Sequence, residues 1–125
     1  MSSASRFLIA AFIGFVLVLA LPGELAARAQ PLDEDAALAL LVRTLKDDKV
    51  YARRISLDCV TYGTEETTAA YFQFVLRENH TAPCGGDPET SPVVDRYRVY
   101  RASGKIEWLE KIEDAWQSYN PEKIR

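Results

Sequence analysis

Two cysteines, Cys59 and Cys84, are the only sulfhydryl side chains in this 125-residue chain, and their placement restricts its folds more than any other feature. Neither belongs to a Cys-x-x-Cys pair, which a redox site wants. A metal site would need three or four ligands, and the only histidine is His80. In an exported chain the remaining reading is one structural bridge between them. Such a bridge closes a loop of about 25 residues and limits the unfolded ensemble by ~3–4 kcal/mol on a chain-entropy argument. It also ties down a turn-rich stretch, Cys84-Gly85-Gly86-Asp87-Pro88-Glu89-Thr90-Ser91-Pro92, which runs straight into the strand-like Val93-Val94-Asp95-Arg96-Tyr97-Arg98-Val99-Tyr100.

Export is written at the start of the chain. Arg6 supplies a positive charge, Phe7 to Leu21 is an unbroken apolar run, Pro22-Gly23 interrupts it, and Ala27-Arg28-Ala29 has the small-x-small pattern that a signal peptidase accepts. The expected cut falls between Ala29 and Gln30, giving a signal peptide over residues 1–29 and a single small domain over 30–125. A retained anchor is the rival, but the run is short of the roughly 20 residues that a bilayer core requires. No stable membrane insertion is expected after cleavage, and the expected location is periplasmic or secreted. The product keeps 13 basic and 17 acidic side chains, a net charge near −4. Export and the lack of a basic excess both argue against nucleic acid as a partner. At this size the core is modest and a covalent staple is worth having.

The pattern after the leader predicts an α+β fold. Asp33 suits an N-cap, with Glu34 and Asp35 at the positive end of the helix dipole. Leu38, Leu41, Val42 and Leu45 then form one apolar stripe, and the helix is expected to end near Lys46 to Asp48. Leu40 projects nearly opposite Leu38, so it is either a singly exposed leucine or a sign that the far face also meets something. A first strand is expected from Ala52, with Ile55, Leu57 and Cys59 alternating with Ser56, Asp58 and Val60, and Tyr62 to Thr67 is read as a turn. A second strand from Ala69 to Glu78 puts Phe72, Phe74 and Leu76 inward and Tyr71, Gln73, Val75 and Arg77 outward. After the loop at 79–92, a third strand runs from Val93 to Arg101, and Ala102-Ser103-Gly104-Lys105 makes a hairpin turn. Residues 105–110 read as a fourth strand, although 108–119 also carries helical spacing. Trp116 and Tyr119 are expected to cap one edge of the core, and 120–125 to fray. The sum is an N-terminal amphipathic helix packed on a three- to four-stranded antiparallel sheet.

No catalytic set is visible. His80 has no nucleophile marked beside it, and Gly85-Gly86 lacks the lysine of a phosphate loop. The paired acids Glu65-Glu66, and Asp87 with Glu89, sit in polar turns rather than in an apolar pocket that would raise a carboxyl pKa. Asp87, Glu89 and Asp95 do not make a calcium loop. No cofactor, metal ligand or catalytic residue is therefore expected. The Asn79-His80-Thr81 sequon matters only in a host that glycosylates. The best candidate for binding is the sheet face carrying Arg96, Arg98 and Tyr100, with Arg77 and Tyr71 one strand over, a composition favoured in protein contacts. Asp87 joins it as a candidate from the bridged loop. The alternative is a solvated face whose arginines pair with Glu78, Asp58 or Glu107 across strands.

The order helix, strand, Tyr71-Phe72-Gln73-Phe74-Val75, then Val93 to Arg101 and Ser103-Gly104-Lys105-Ile106 resembles PepSY-type domains, small exported modules in which an amphipathic helix precedes a curved antiparallel sheet. The likeness covers about residues 33–110, and the Cys84-to-Pro92 insertion departs from it. The Cys-Gly-Gly-Asp-Pro stretch leading into Pro-Val-Val-Asp-Arg-Tyr-Arg-Val is also similar to small bacterial periplasmic proteins. What the resemblance implies is a modulatory or peptidase-inhibiting domain outside the cytoplasm. The expected function is thus a non-enzymatic binding or inhibitory module acting on a protein partner in the cell envelope. An immunity-type or structural envelope protein in an obligate complex is the first alternative; a small hydrolase or transport accessory is the second.

Overall fold

The computed structural model describes residues 29–125; apart from Ala29, the expected leader lies outside the described residues. Helix α1 (Glu34–Asp47) is followed by a 3-10 turn (Leu57–Cys59) and strands β1 (Val60–Thr67), β2 (Tyr71–Glu78), β3 (Val93–Tyr100), β4 (Ile106–Glu110) and β5 (Ala115–Ser118), with a last short helix α2 (Pro121–Ile124). The strands form one antiparallel meander in the order β1-β2-β3-β4-β5, with α1 against one face. Among the described residues, no helix is long and apolar enough to cross a membrane.

The Asp33 carboxylate accepts from the Ala36 backbone N–H at 2.8 Å and caps α1, as its position before two acids predicts. The buried stripe is Ala37, Leu41 and Leu45, spaced by four residues and fully enclosed; Leu38 and Leu40 pack at its margins. Each fully buried leucine contributes about 2 kcal/mol of transfer free energy. Leu40 meets the β3–β4 turn. A Cβ on Gly104 would stand 3.1 Å from its Cδ2, and Gly104 also has φ +70°. The second of the two readings of Leu40 is therefore the right one.

The end of α1 is closed by a Schellman arrangement. The Val50 N–H donates to the Leu45 carbonyl and the Lys49 N–H to the Lys46 carbonyl, while the Val50 and Leu45 side chains are both buried. Lys49 occupies the left-handed position, at φ 54°, that glycine usually fills.

Several expectations need correction. The strand expected from Ala52 does not form: residues 50–55 wind through turns closed by Arg54 N–H and Ile55 N–H on the Tyr51 carbonyl, and Ser56 then caps the 3-10 turn. The alternation of Ile55 and Leu57 comes from a connection draped over the core, where both are half-buried. The segment read as a turn, Tyr62 to Thr67, is instead most of β1, paired from Val60↔Glu78 to Thr67↔Phe72 with a bulge at Glu65. It is polar because it is an edge strand whose residues from Gly63 to Thr67 are exposed on both faces. The real turn is Thr68 to Ala70, where the Thr68 hydroxyl accepts from the Ala70 and Tyr71 N–H groups. Finally, residues 120–125 do not fray as a whole. Asn120 caps α2, and Ile124 is buried in the core.

Residues 105–119 resolve as a hairpin, adding a fifth strand to the three or four expected. Leu109 pairs with Trp116 and Glu107 with Ser118. Tyr119 does cap the core, its hydroxyl donating to Asp48 at 2.8 Å. Trp116 does not; it lies on the opposite, outer face, because it pairs with Leu109 rather than with the inward Trp108.

Cys59 and Cys84 are joined in a disulfide with their Cα atoms 5.6 Å apart. Cys59 immediately precedes β1, and its carbonyl accepts from the Asn79 N–H just beyond β2, so the bridge sits at the open end of the β1–β2 hairpin.

Candidate functional site

No described element covers the outer face of the sheet, since α1 lies against the other. Tyr71 stands directly opposite Tyr100, and Gln73 opposite Arg98, which in turn faces Glu107 on β4. Directly opposed residues project to one side, so these groups share the outer face. Their contacts make a continuous row. The Tyr71 and Tyr100 rings meet edge-on at 5.7 Å. The Arg98 guanidinium lies 4.4 Å from the Tyr71 ring centre and 4.0 Å from that of Trp116. It is thus held between two aromatic side chains, 21 % exposed, with its Nε donating to Gln73 at 3.1 Å.

Carboxylates from β1 and β4 balance the arginines. Arg96 Nε donates to both oxygens of Glu65, at 2.8 and 3.1 Å. Arg98 lies 3.8 Å from Glu66, which also accepts from the Tyr71 hydroxyl at 3.1 Å. Glu107 accepts from Tyr100 at 2.9 Å and pairs with Lys105 at 2.8 Å. The hydrogen bond from Arg96 holds the Glu65 carboxyl below its usual range, and the one from Lys105 does the same for Glu107. The face is therefore a charge-compensated lattice, and its carboxylates are Glu65, Glu66 and Glu107 rather than Glu78 or Asp58.

Of the six candidate binding residues, the structure brings together Tyr71, Arg96, Arg98 and Tyr100. The other two are engaged elsewhere. Arg77 stands at the margin of the face, on the same side of β2 as Val75 and near enough to help lower the Glu65 carboxyl pKa, but past the β2–β3 register shift it donates to the Ser91 carbonyl at 3.0 Å and ties the end of β2 to the loop. Asp87 lies in that loop, where its carboxylate accepts from the Glu89 N–H at 3.0 Å and shapes a turn. Glu65, Glu66 and Trp116 are the members that the sequence does not assign to the face; Gln73 stands on the outward side of β2 as its alternation predicts. The Glu65-Glu66 pair has the polar composition of a turn and gains its place only from the pairing of β1, and Trp116 becomes readable once β5 is recognised.

Behind the face lies a polar cluster in the core. Asp95 is 3 % exposed and accepts from the Tyr51 hydroxyl at 2.6 Å. Because Tyr51 gives its proton to Asp95, the short contact between the Tyr51 and Tyr97 hydroxyls has Tyr97 as donor. Lys111 reaches the other carboxylate oxygen at 3.0 Å, and Arg54 stands 3.9 Å away. Burial pushes both tyrosine hydroxyls far above their ordinary range, so they remain neutral donors. Every member has a partner, which makes the cluster a structural lock.

No protein-family profile, curated protein or solved structure matches the chain.

Proposed function

We propose that the protein is an exported, non-catalytic binding module that grips a protein partner in the cell envelope through the outer sheet face. The observation that carries this reading is Arg98, clamped between Tyr71 and Trp116 on a face that no described element covers. Trp, Tyr and Arg are the side chains that most often dominate protein interfaces, and here they are ordered before contact, which lowers the entropy cost of docking. The internal ion pairs matter equally. A partner covering them leaves each charge already matched, so the face buries without stranding an uncompensated ion. Export is supported by the leader-like run, the small-x-small site and the bridge between Cys59 and Cys84. The likeness to PepSY-type domains points the same way, towards modulation or inhibition of an envelope enzyme.

A photo-crosslinking residue placed at Gln73, compared with one at Arg43 on α1, identifies a protein docked on the face in an envelope fraction. With that protein purified, Trp116→Ala and Arg98→Glu should each weaken binding at least about tenfold, the size of a hot-spot loss. Circular dichroism and denaturant midpoints check that both variants fold. Capture from Arg43 but not Gln73, or equal affinity of folded variants and wild type, overturns the proposal.

A further inference from the structure

A second surface, on the helix side of the sheet, carries chemistry that the outer face does not. A cleft of about 580 Å³ opens between the end of α1, the turns that follow it and α2, lined by Lys49, Val50, Ala52, Arg53, Arg54, Glu122 and Arg125. Four of its side chains are cationic and one is acidic. In a chain with 15 basic against 18 acidic residues, this clustering is not a by-product of overall basicity.

The cations fall into two kinds. Arg54 and Arg125 are held in place. Arg54 lies over the Tyr51 ring at 5.5 Å and 3.9 Å from buried Asp95, while Arg125 pairs with Glu122 at 2.7 Å and donates to the Asp48 carbonyl at 2.7 Å. Lys49 and Arg53 have no carboxylate within 4.0 Å among the described residues. Lys49 is notable for its backbone. It fills the left-handed position of the Schellman turn, where glycine would fit without steric conflict. A lysine there places charge at the cleft rim at the expense of backbone ease.

We propose that this cleft is a binding site for a small organic polyanion bearing two or more oxyanion groups, such as a phosphorylated or polycarboxylic metabolite. Its volume suits a small molecule rather than a lone ion. Arg54 and Arg125, oriented by Asp95 and by Glu122 with the Asp48 carbonyl, offer their remaining N–H groups to oxyanions, and Lys49 and Arg53 add charge that no carboxylate of the described residues already takes up. No lining residue belongs to the outer sheet face, so this site does not depend on the protein-binding surface.

Inorganic pyrophosphate and citrate serve as probes, titrated separately against the full domain at constant ionic strength and followed by amide chemical shifts. Saturable shifts are expected at residues 49–54 and 122–125, with whichever probe binds tighter marking the phosphate or the carboxylate class. Lys49→Gly and Arg53→Ala should each weaken binding about tenfold, the loss typical of one charge-assisted bond. Lys49→Gly should also leave the denaturation midpoint unchanged or raised, which separates lost charge from lost structure. Arg43→Ala, on the exposed side of α1 and outside the cleft, should bind like wild type. Shifts outside the cleft, no saturation with either probe, or equal affinity in wild type, Lys49→Gly and Arg53→Ala would each overturn the proposal.

Discussion

Asp95 shows how one residue's role depends on partners distant in sequence. Its strand position, alternating with Arg96 and in step with Tyr97, was legible, yet nothing local marks it as a buried acid. Its hydrogen-bond donor, Tyr51, is 44 residues away, and Lys111 comes from the β4–β5 turn. Replacing Asp95 with Ala leaves two buried tyrosine hydroxyls to share one hydrogen bond, whereas Lys111, already 55 % exposed, turns out to water. The expected loss is therefore about 2 kcal/mol, below that of a fully stranded ion pair. Urea denaturation with an unchanged m-value measures it, and a loss under about 0.5 kcal/mol would show that the cluster is not a lock.

Among the elements, the bridged loop is the one whose behaviour should change with pH. His80 Nε2 stands 2.6 Å from the Glu78 carboxylate and Nδ1 2.7 Å from the Asp87 carbonyl. Both partners only accept, so the doubly protonated ring satisfies both at once. The bond to Glu78, and then that to Asp87, raises the His80 pKa above its ordinary 6.5. The sign follows from linkage: a raised folded-state pKa stabilises the closed loop fully below 6.5, and this contribution is lost as pH rises through the higher folded value. Hydrogen exchange at Cys84, Gly85 and Thr90, whose amides donate within the loop, should show protection falling over that interval after correction for intrinsic rates. His80→Gln should abolish the step. A step that survives the substitution assigns it to another group. Gly86 belongs to the same element, because a Cβ there would stand 2.6 Å from the imidazole.

At the scale of the whole molecule, the disulfide sits at the open end of the β1–β2 hairpin rather than between distant layers. Cys59→Ser with Cys84→Ser removes the loop restriction from the unfolded chain and should lower stability by about 3 kcal/mol. For a domain of this size that is a large share of the 5–15 kcal/mol typical of folded proteins. Calorimetry or denaturant titration of the double variant checks it; an unchanged midpoint would mean that the hairpin's own pairing already limits the unfolded ensemble. The two proposed surfaces lie on different faces of the sheet, so a substitution on one is expected to leave the other intact.

Helix α1, the inward Phe72, Phe74 and Leu76, the Gly104 turn and the Cys59–Cys84 pairing could be read from the chain because each follows from local periodicity, capping or simple counting. What local pattern could not supply is the identity of an edge. Tyr62 to Thr67 looks like a turn until β2 stands beside it, and Ile55 and Leu57 look like a strand until the chain has to return from α1 to that edge. Trp116 has no assignable face until β5 pairs with β4. Arg98 is likewise only an outward arginine until Tyr71 and Trp116, 45 residues apart in the chain, close on it. Pairing between strands and burial against remote side chains are non-local quantities, and in this protein they decide where the charge, the aromatic rings and the buried acid meet.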